Sequence, residues 1–260
     1  MKALHIAATG MKAQELNVEV ISNNVANMRT TGYKRQRADF QDLLYQNLRR
    51  MGAETSTTGT IVPTGVQIGS GVKTAATARI MSQGTLEQTD KELDIAIRKE
   101  GFFQIQLPDG TTAYTRDGSF ERDANGTMVT VDGYAMDPGI TIPDDARDIT
   151  ISADGSVQVI DNNGNQVNLG QIQLARFVNK SGLESIGNNL YLETEASGAA
   201  QINNPGTAGF GDLQQGYLEM ANVDAVTEIA DLIAAQRAYE MNSRIIQAAD
   251  EMYSTTTNIR

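Results

Sequence analysis

Apolar residues recur at seven-residue intervals at both ends of the chain. Near the start they are Leu4, Met11, Val18 and Val25, with Ala7, Ile21 and Met28 at companion positions and only Gln14 breaking the row. Near the end they are Ala225, Leu232, Tyr239, Ile246 and Tyr253, with Ile229, Ala235 and Ala249 in the intermediate turns. This spacing predicts two helices of coiled-coil type. A second apolar row runs beside the later one, through Val226, Ala230, Ile233, Ala234, Ala238, Met241, Ile245, Ala248 and Met252. A surface helix normally shows one apolar face, so a helix with two asks for neighbours on more than one side. Asn222 is the expected N-cap, with Asp224 in the first turn against the positive end of the helix dipole. The first helix is expected to end at residues 27–31 and break at Gly32. Asn23, Asn24 and Asn27 cluster there, either satisfying loose backbone groups or forming a fixed corner that aims the next segment.

The energetics set the terminal helices apart. Each is roughly 40 to 50 Å long at about 1.5 Å per residue. Ordering a residue costs about 1–2 kcal/mol of backbone entropy, while a well-buried apolar side chain returns about 1.5–3 kcal/mol. Many of the apolar positions are only alanine, so one helix on one partner is marginal. The ends are therefore expected to be completed between copies of the same protein. In dilute monomer they should be protease-sensitive around a resistant core near residues 80 to 200.

Between the helices the pattern changes twice. Residues 51–78 turn to glycine, threonine, serine and alanine, with short extended pieces at 61–63 and 66–68; alone this reads as a long surface loop. From Leu93 to about Leu192 the period becomes that of strands. Six dipeptides punctuate it: Asp109-Gly110, Asp117-Gly118, Asn125-Gly126, Asp132-Gly133, Asp154-Gly155 and Asn163-Gly164. They predict type I′ hairpin turns, separating strands at 102–107, 111–116, 127–131, 148–153, 156–160 and 171–177. None fits the spacing of a calcium loop. The fold class is α+β: long N- and C-terminal coiled-coil helices flank an extended linker region and an all-β, antiparallel, hairpin-rich middle domain. The expected division is 1–30 and 218–260 for the paired helices, 31–80 and 201–217 for the connector, and 81–200 for the β domain.

Composition narrows the function. The chain has 260 residues, and its 21 basic and 32 acidic side chains leave a net charge of −11, which argues against nucleic acid as the main ligand. An acidic surface also keeps monomers soluble. Basic residues gather at Arg29, Lys34, Arg35, Arg37, Arg49 and Arg50, either as a solvated face or as partners for acidic patches on a neighbouring subunit. There is no cysteine and one histidine, His5. That removes thiolate chemistry, a Ser-His-Asp triad and a multi-histidine metal site. No P-loop or dinucleotide fingerprint occurs, so no cofactor and no metal is expected. A glycosidase needs only two carboxylates, but nothing marks which two, and tryptophan platforms are absent. The N-terminus lacks the apolar core of a secretory signal, and no run reaches membrane-spanning length. The chain is expected to be cytoplasmic, or exported without a cleaved leader and without membrane insertion.

Particular stretches carry a family resemblance. Asn24-Val25-Ala26-Asn27-Met28-Arg29-Thr30-Thr31-Gly32-Tyr33-Lys34-Arg35 resembles the Ala-Asn-x-x-Thr-x-Gly-Tyr-Lys signature of bacterial flagellar rod and hook proteins. Within it Asn24, Ala26, Asn27, Thr30, Gly32, Tyr33, Lys34 and Arg35 carry the match. Leu93–Ile97, Gly101–Ile105 and Tyr114–Phe120 are similar to the family's central region. Gly216-Tyr217-Leu218-Glu219, Asn222-Val223-Asp224 and 236–242 resemble its C-terminal pattern. The stretch from Tyr45, Gln46, Arg49, Arg50 and Gly52 to Pro63, then Gly65-Val66-Gln67-Ile68-Gly69-Ser70-Gly71-Val72, looks like the part that separates the distal-rod branch from the hook. One departure is Lys99-Glu100 before Gly101, where the family often has a small residue and a second glycine; it puts a local turn in question.

The resemblance implies an unfolded substrate of the flagellar type III export apparatus. Copies would assemble helically into a stiff hollow shaft crossing the periplasm, with the terminal helices lining the channel. Its implied neighbours are further copies, proximal rod proteins, the hook protein and the surrounding periplasmic and outer-membrane rings. The expected seam comprises Leu4, Met11, Val18, Ile21, Val25, Met28, Ala225, Val226, Ile229, Leu232, Ile233, Tyr239, Met241, Ile245, Ile246, Met252 and Tyr253. Residues 46–63, laid across the next subunit, would stop sliding and stiffen the shaft. The rival readings are a hook or proximal-rod relative, a soluble adaptor that binds a helical partner, and a periplasmic carboxylate-dependent glycosidase.

Overall fold

The computed structural model describes residues 2–49, 51, 64–162 and 164–258. The chain forms two compact units: Met1–Val25, Gln36–Ala78 and Ala225–Arg260 make one, Ala26–Arg35 and Arg79–Asp224 the other. The first, the helix unit, holds α1 (Lys2–Ala26) and α2 (Ala225–Asn258). It also contains the antiparallel hairpin of Gln46–Arg49 with Val66–Ile68.

Helix α2 starts at Ala225, three residues beyond the expected cap. Asn222 is taken up elsewhere: its Oδ1 accepts the Arg35 N–H at 2.8 Å, while Nδ2 donates to Ile80 O at 2.8 Å and to Ser82 O at 3.0 Å. These bonds join segments far apart in sequence, so the amide is spent on tertiary structure. Asp224 is the residue next to the positive helix end.

The second unit is the β unit. Its nine-stranded antiparallel sheet centres on Phe102–Gln106, flanked by Thr112–Thr115 and Ala135–Asp137. Smaller sheets of Asp148–Ile151, Ser156–Ile160 and Gln166–Gln171, and of Ile95–Arg98 with Asp212–Gln215, complete most of it. Successive strand residues face opposite ways. Phe103 therefore joins a core with Ile95, Ile97, Ile105, Phe120 and Met128, while Phe102 joins Tyr114, Phe177 and Tyr191 on the other face. The rings of Tyr114 and Phe177 meet edge to face at 4.8 Å. With both faces of the central strand covered, its residues 102–105 are all buried.

The turns differ from expectation in kind. Five of the six dipeptides share one geometry, spanning 107–111, 123–127, 130–134, 152–156 and 161–165. In each, the glycine N–H donates to the carbonyl three residues back, and the first residue's N–H donates to the carbonyl four residues on, all at 2.8–3.0 Å. The five glycines have φ of +81° to +88°, whereas Asp109, Asn125, Asp132 and Asp154 do not adopt positive φ. These are three-residue loops, a type I turn closed by a left-handed glycine, and not type I′ turns. One extra residue leaves a single left-handed position to fill. Asp117-Gly118 is no hairpin turn at all: a Cβ on Gly118 would sit 1.7 Å from the Ile95 carbonyl oxygen, so the glycine is there for close packing.

Candidate functional site

In the helix unit, α1 and α2 pair antiparallel in a register that two contacts fix. Asn24 Nδ2 donates to Glu228 Oε2 at 3.1 Å. A Cβ on Gly10 would lie 3.0 Å from Asn242 Nδ2. Gly10 and Asn24 are two heptads apart, as are Glu228 and Asn242, so one coiled-coil spacing runs through both contacts. The buried positions on α1 are Ala7, Ala13, Val20, Ile21 and Asn24; on α2 they are Glu228, Ala235 and Ala249. Small side chains and an amide let the helices approach closely.

The large apolar residues lie elsewhere. Of the expected seam, Ile21 is buried, and Leu4, Met11, Val18, Val25, Met28, Ala225, Leu232 and Ile246 are half-buried. Val226, Ile229, Ile233, Tyr239, Met241, Ile245, Met252 and Tyr253 remain exposed, by 43% to 78%. These exposed apolar residues recur at helical spacing along α2. The least exposed row of α2 runs through Glu228, Ala235, the half-buried Asn242 and Ala249. Sequence reasoning passed over its two polar members, although both fall on the seven-residue repeat.

The Asn24 side chain also holds the strand that follows. Its Oδ1 accepts the Gln36 N–H at 2.9 Å and its Nδ2 donates to Gln36 O at 2.8 Å. Occupying both backbone groups of one residue supports the fixed-corner reading of the asparagine cluster. In the β unit, Thr30 N–H donates to Asn27 O at 3.0 Å, and Thr30 Oγ1 lies 3.2 Å from Asn27 Oδ1. Gly32 has φ +67° and donates its N–H to Glu219 O at 2.7 Å; a Cβ there would come 2.6 Å from Asp117 N. Only glycine fits both the left-handed conformation and the space. Ala26 is exposed and Tyr33 half-buried, while Arg35 meets Asn222 through its backbone.

Lys34 is the unexpected member. Read from the sequence as part of a basic surface cluster, it is 1% exposed. Its Nζ meets Glu219 Oε1 at 2.5 Å and donates to Ser82 O at 2.8 Å. Arg116 approaches the other carboxylate oxygen at 3.4 Å, close enough for charge attraction although Oε2 receives no directed hydrogen bond. Gly84 N–H donates to Oε1 at 2.9 Å. Two cations thus share one anion, and carbonyls take the surplus: Arg116 donates to Ile97 O at 3.3 Å and to Lys99 O, and stacks over the Phe102 ring at 5.6 Å. Burial holds both Lys34 and Arg116 below their ordinary ranges, and the Glu219 carboxylate opposes the shift in each. Lys99 itself adopts φ +72°, ahead of Gly101 at +146°. The turn left in question by Lys99-Glu100 therefore forms, with a lysine in the left-handed region at a cost of about 1–2 kcal/mol.

Of the expected stiffening stretch, Tyr45 lies over Gly69, whose added Cβ would be 3.5 Å from the ring, and the Asp42 carboxylate raises its phenol above the usual range. Gln46 accepts a hydrogen bond from Lys2, and Arg49 is exposed at the end of its strand. Arg50, Gly52 and Pro63 lie outside the described residues. Leu44, Leu48 and Met51 are 88%, 64% and 61% exposed. Among the described residues no group of acidic or histidine side chains is arranged to hold a metal, and no helix is long and apolar enough to cross a membrane.

These features coincide with known families. Residues 4–34 match the model "Flagella basal body rod protein", 96–159 match "Flagellar hook protein FlgE/F/G D1 domain" and 214–259 match "Flagellar basal body rod FlgEFG protein C-terminal". The flagellar basal-body rod protein FlgG of Caulobacter vibrioides is 58% identical over the whole of both chains. That of Agrobacterium fabrum is 52% identical over 98% of this chain and 97% of its own. That of Bacillus subtilis is 40% identical over 100% and 99%. The Helicobacter pylori flagellar hook protein FlgE2 aligns with 72% of this chain at 15% identity and a TM-score of 0.26, and this chain spans 43% of its length. The chain belongs to the flagellar basal-body rod protein family, whose members are structural and not enzymes.

Proposed function

We propose that this chain is a subunit of the flagellar distal rod, assembling helically with its own copies into a stiff hollow shaft that carries torque to the hook and encloses the export channel. The observation that carries the reading is the second apolar row of α2, left open while the buried positions of that helix are Glu228, Ala235 and Ala249. Contacts between unlike faces of successive copies, which do not close into a ring, build a filament. Covering that row with sister helices supplies the burial that a lone helix pair lacks. Proximal rod proteins, the hook protein and the surrounding rings are the neighbours such a shaft meets, and the export apparatus its route. The hairpin and the residues through 63 serve as the lock against sliding.

The test replaces Ile233 and Ile245 together by glutamate in the full chain. Exposed side chains contribute little to monomer stability, so the thermal midpoint of the purified protein should move by no more than a few degrees. Swimming should be lost, and isolated basal bodies should lack the distal rod. Normal rods and motility in this variant would refute the reading.

A further inference from the structure

The chain passes between its two units after residues 25, 35, 78 and 224. Each unit therefore has four chain ends through which force enters or leaves, and a pull on one end reaches the others only through bonds inside that unit. In the β unit those bonds converge on Asn222. Its Oδ1 takes the Arg35 N–H, and its Nδ2 holds Ile80 O and Ser82 O. Ile80 N–H donates in turn to Arg35 O at 2.9 Å. Residues 35, 80 and 222 each lie within two positions of an exit, so one amide gathers three of the four ends. Lys34 adds a second tie between the same segments, through Ser82 O and Glu219.

The helix unit repeats the arrangement with Asn24. This side chain is 1% exposed and holds Gln36 through both backbone groups, while its Nδ2 also reaches Glu228 Oε2. Residues 24, 36 and 228 again stand at or near three of the four ends, 25, 36 and 225. The two asparagines grip consecutive residues, Arg35 and Gln36, so a single peptide bond, planar and stiff, separates the grips. From Asn222 to Glu228, by contrast, five residues intervene. The 35–36 passage therefore has the least slack and takes up a pull first. Satisfying loose backbone groups would explain one such bond, but not the convergence of three exits on one amide in each unit. Resting on the rod reading, we propose that Asn24 and Asn222 are positioning residues for torque transmission. Each ties the exits of its own unit together, so that a twist arriving at Arg35-Gln36 is divided among the other passages. Without the tie, the shortest passage takes the load alone and its bonds yield one at a time.

The test compares Asn222→Ala in the full chain with Val157→Ala. Val157 is fully buried on the strand Ser156–Ile160 of the β unit, which holds none of the exits, so its truncation lowers the thermal midpoint without touching a tie. Beads of increasing diameter, attached to the hooks of motile cells, set the load. Asn222→Ala should build rods and turn small beads at the parent's speed. Under large beads its motors should stop for good after a time roughly tenfold shorter than the parent's, the scale expected when hydrogen bonds of this kind are lost. Val157→Ala, at an equal or lower midpoint, should last as long as the parent. Parent-like endurance of Asn222→Ala, or the same shortening in Val157→Ala, would overturn the proposal and leave the rod reading standing. Absence of rods with the unsubstituted chain would sink the rod reading itself. Asn24→Ala gives a second route and should show the same dependence on load. If both asparagine variants fail to build rods, or lose speed equally at every load, the amides serve folding alone and the proposal falls.

Discussion

The two units of this protein bury different kinds of side chain. The β unit takes Phe102, Phe103, Phe120, Ile95, Ile97 and Ile105 down to 2% exposure or less. The helix unit buries Ala7, Ala13, Ala235 and Ala249, and leaves Ile229, Ile233, Tyr239 and Ile245 nearly half open. Burying a large apolar residue stabilises by about 1.5–3 kcal/mol, a single methyl by nearer 0.8 kcal/mol. With backbone ordering costing about 1–2 kcal/mol per residue, burial offsets that cost better in the β unit than in the helix unit. One half of the chain is finished around a core of large side chains; the other, the unfinished half, leaves a row of them open.

The heaviest blow to the finished half should fall at Glu219. Glu219→Gln removes the anion that Lys34 and Arg116 share, and breaking a buried pair in this way costs about 3–5 kcal/mol. Calorimetry should show a midpoint lower by roughly 10 °C. Lys34→Met should cost less, because Arg116 still faces the carboxylate. If the two variants rank the other way, the charge-balance account of the cluster is wrong.

Damage to the unfinished half should be milder and local. Ala235→Leu forces a large side chain into the close approach of α1 and α2, at about 1–3 kcal/mol. Hydrogen exchange should record faster amides in both helices while the strands around Phe103 keep their protection. Equal loss across both units would show that they do not close independently.

The smallest expected effect is a response to alkali. Burial, helped by the Glu193 and Asp137 carboxylates, raises the Tyr114 phenol above its ordinary 10.0, and burial raises Tyr191 the same way. Below that value folded and unfolded chains both keep the proton. Above it the unfolded chain releases its proton first, so stability falls as pH rises through the folded value. Lys34, held low, acts in the opposite sense between its lowered value and 10.5. Because Lys34 is common to both proteins, Tyr114→Phe against the parent isolates the phenol. The variant's denaturant midpoint should fall less steeply above pH 10, and parallel curves would exclude the effect.

What the sequence made legible was local. Seven-residue spacing located both helices, and the Asx-Gly pairs located five turns. It misjudged their type because the dipeptide alone does not set loop length; the bond between a residue and the carbonyl four on does. Asn222 looked like a cap because a polar residue before a helix usually is one. Its amide instead serves Ile80 and Ser82, some 140 positions away. Lys34 and Glu219, separated by 185 positions, left no local trace of their pairing; a buried lysine reads from sequence like any solvated one. The rows of α2 were visible, but not which would close within the monomer, since that depends on where Gly10 and Asn24 sit across from it.

That pairing has a temporal consequence. Helix α1 is made first and meets its counterpart only when residues 228 to 249 exist. Contacts so distant in sequence are slow to form. Until residues 228 to 249 are made, the α2 side of that contact does not exist. Closure of the helix pair therefore waits on the synthesis of residues 228 to 249, long after α1 has been made.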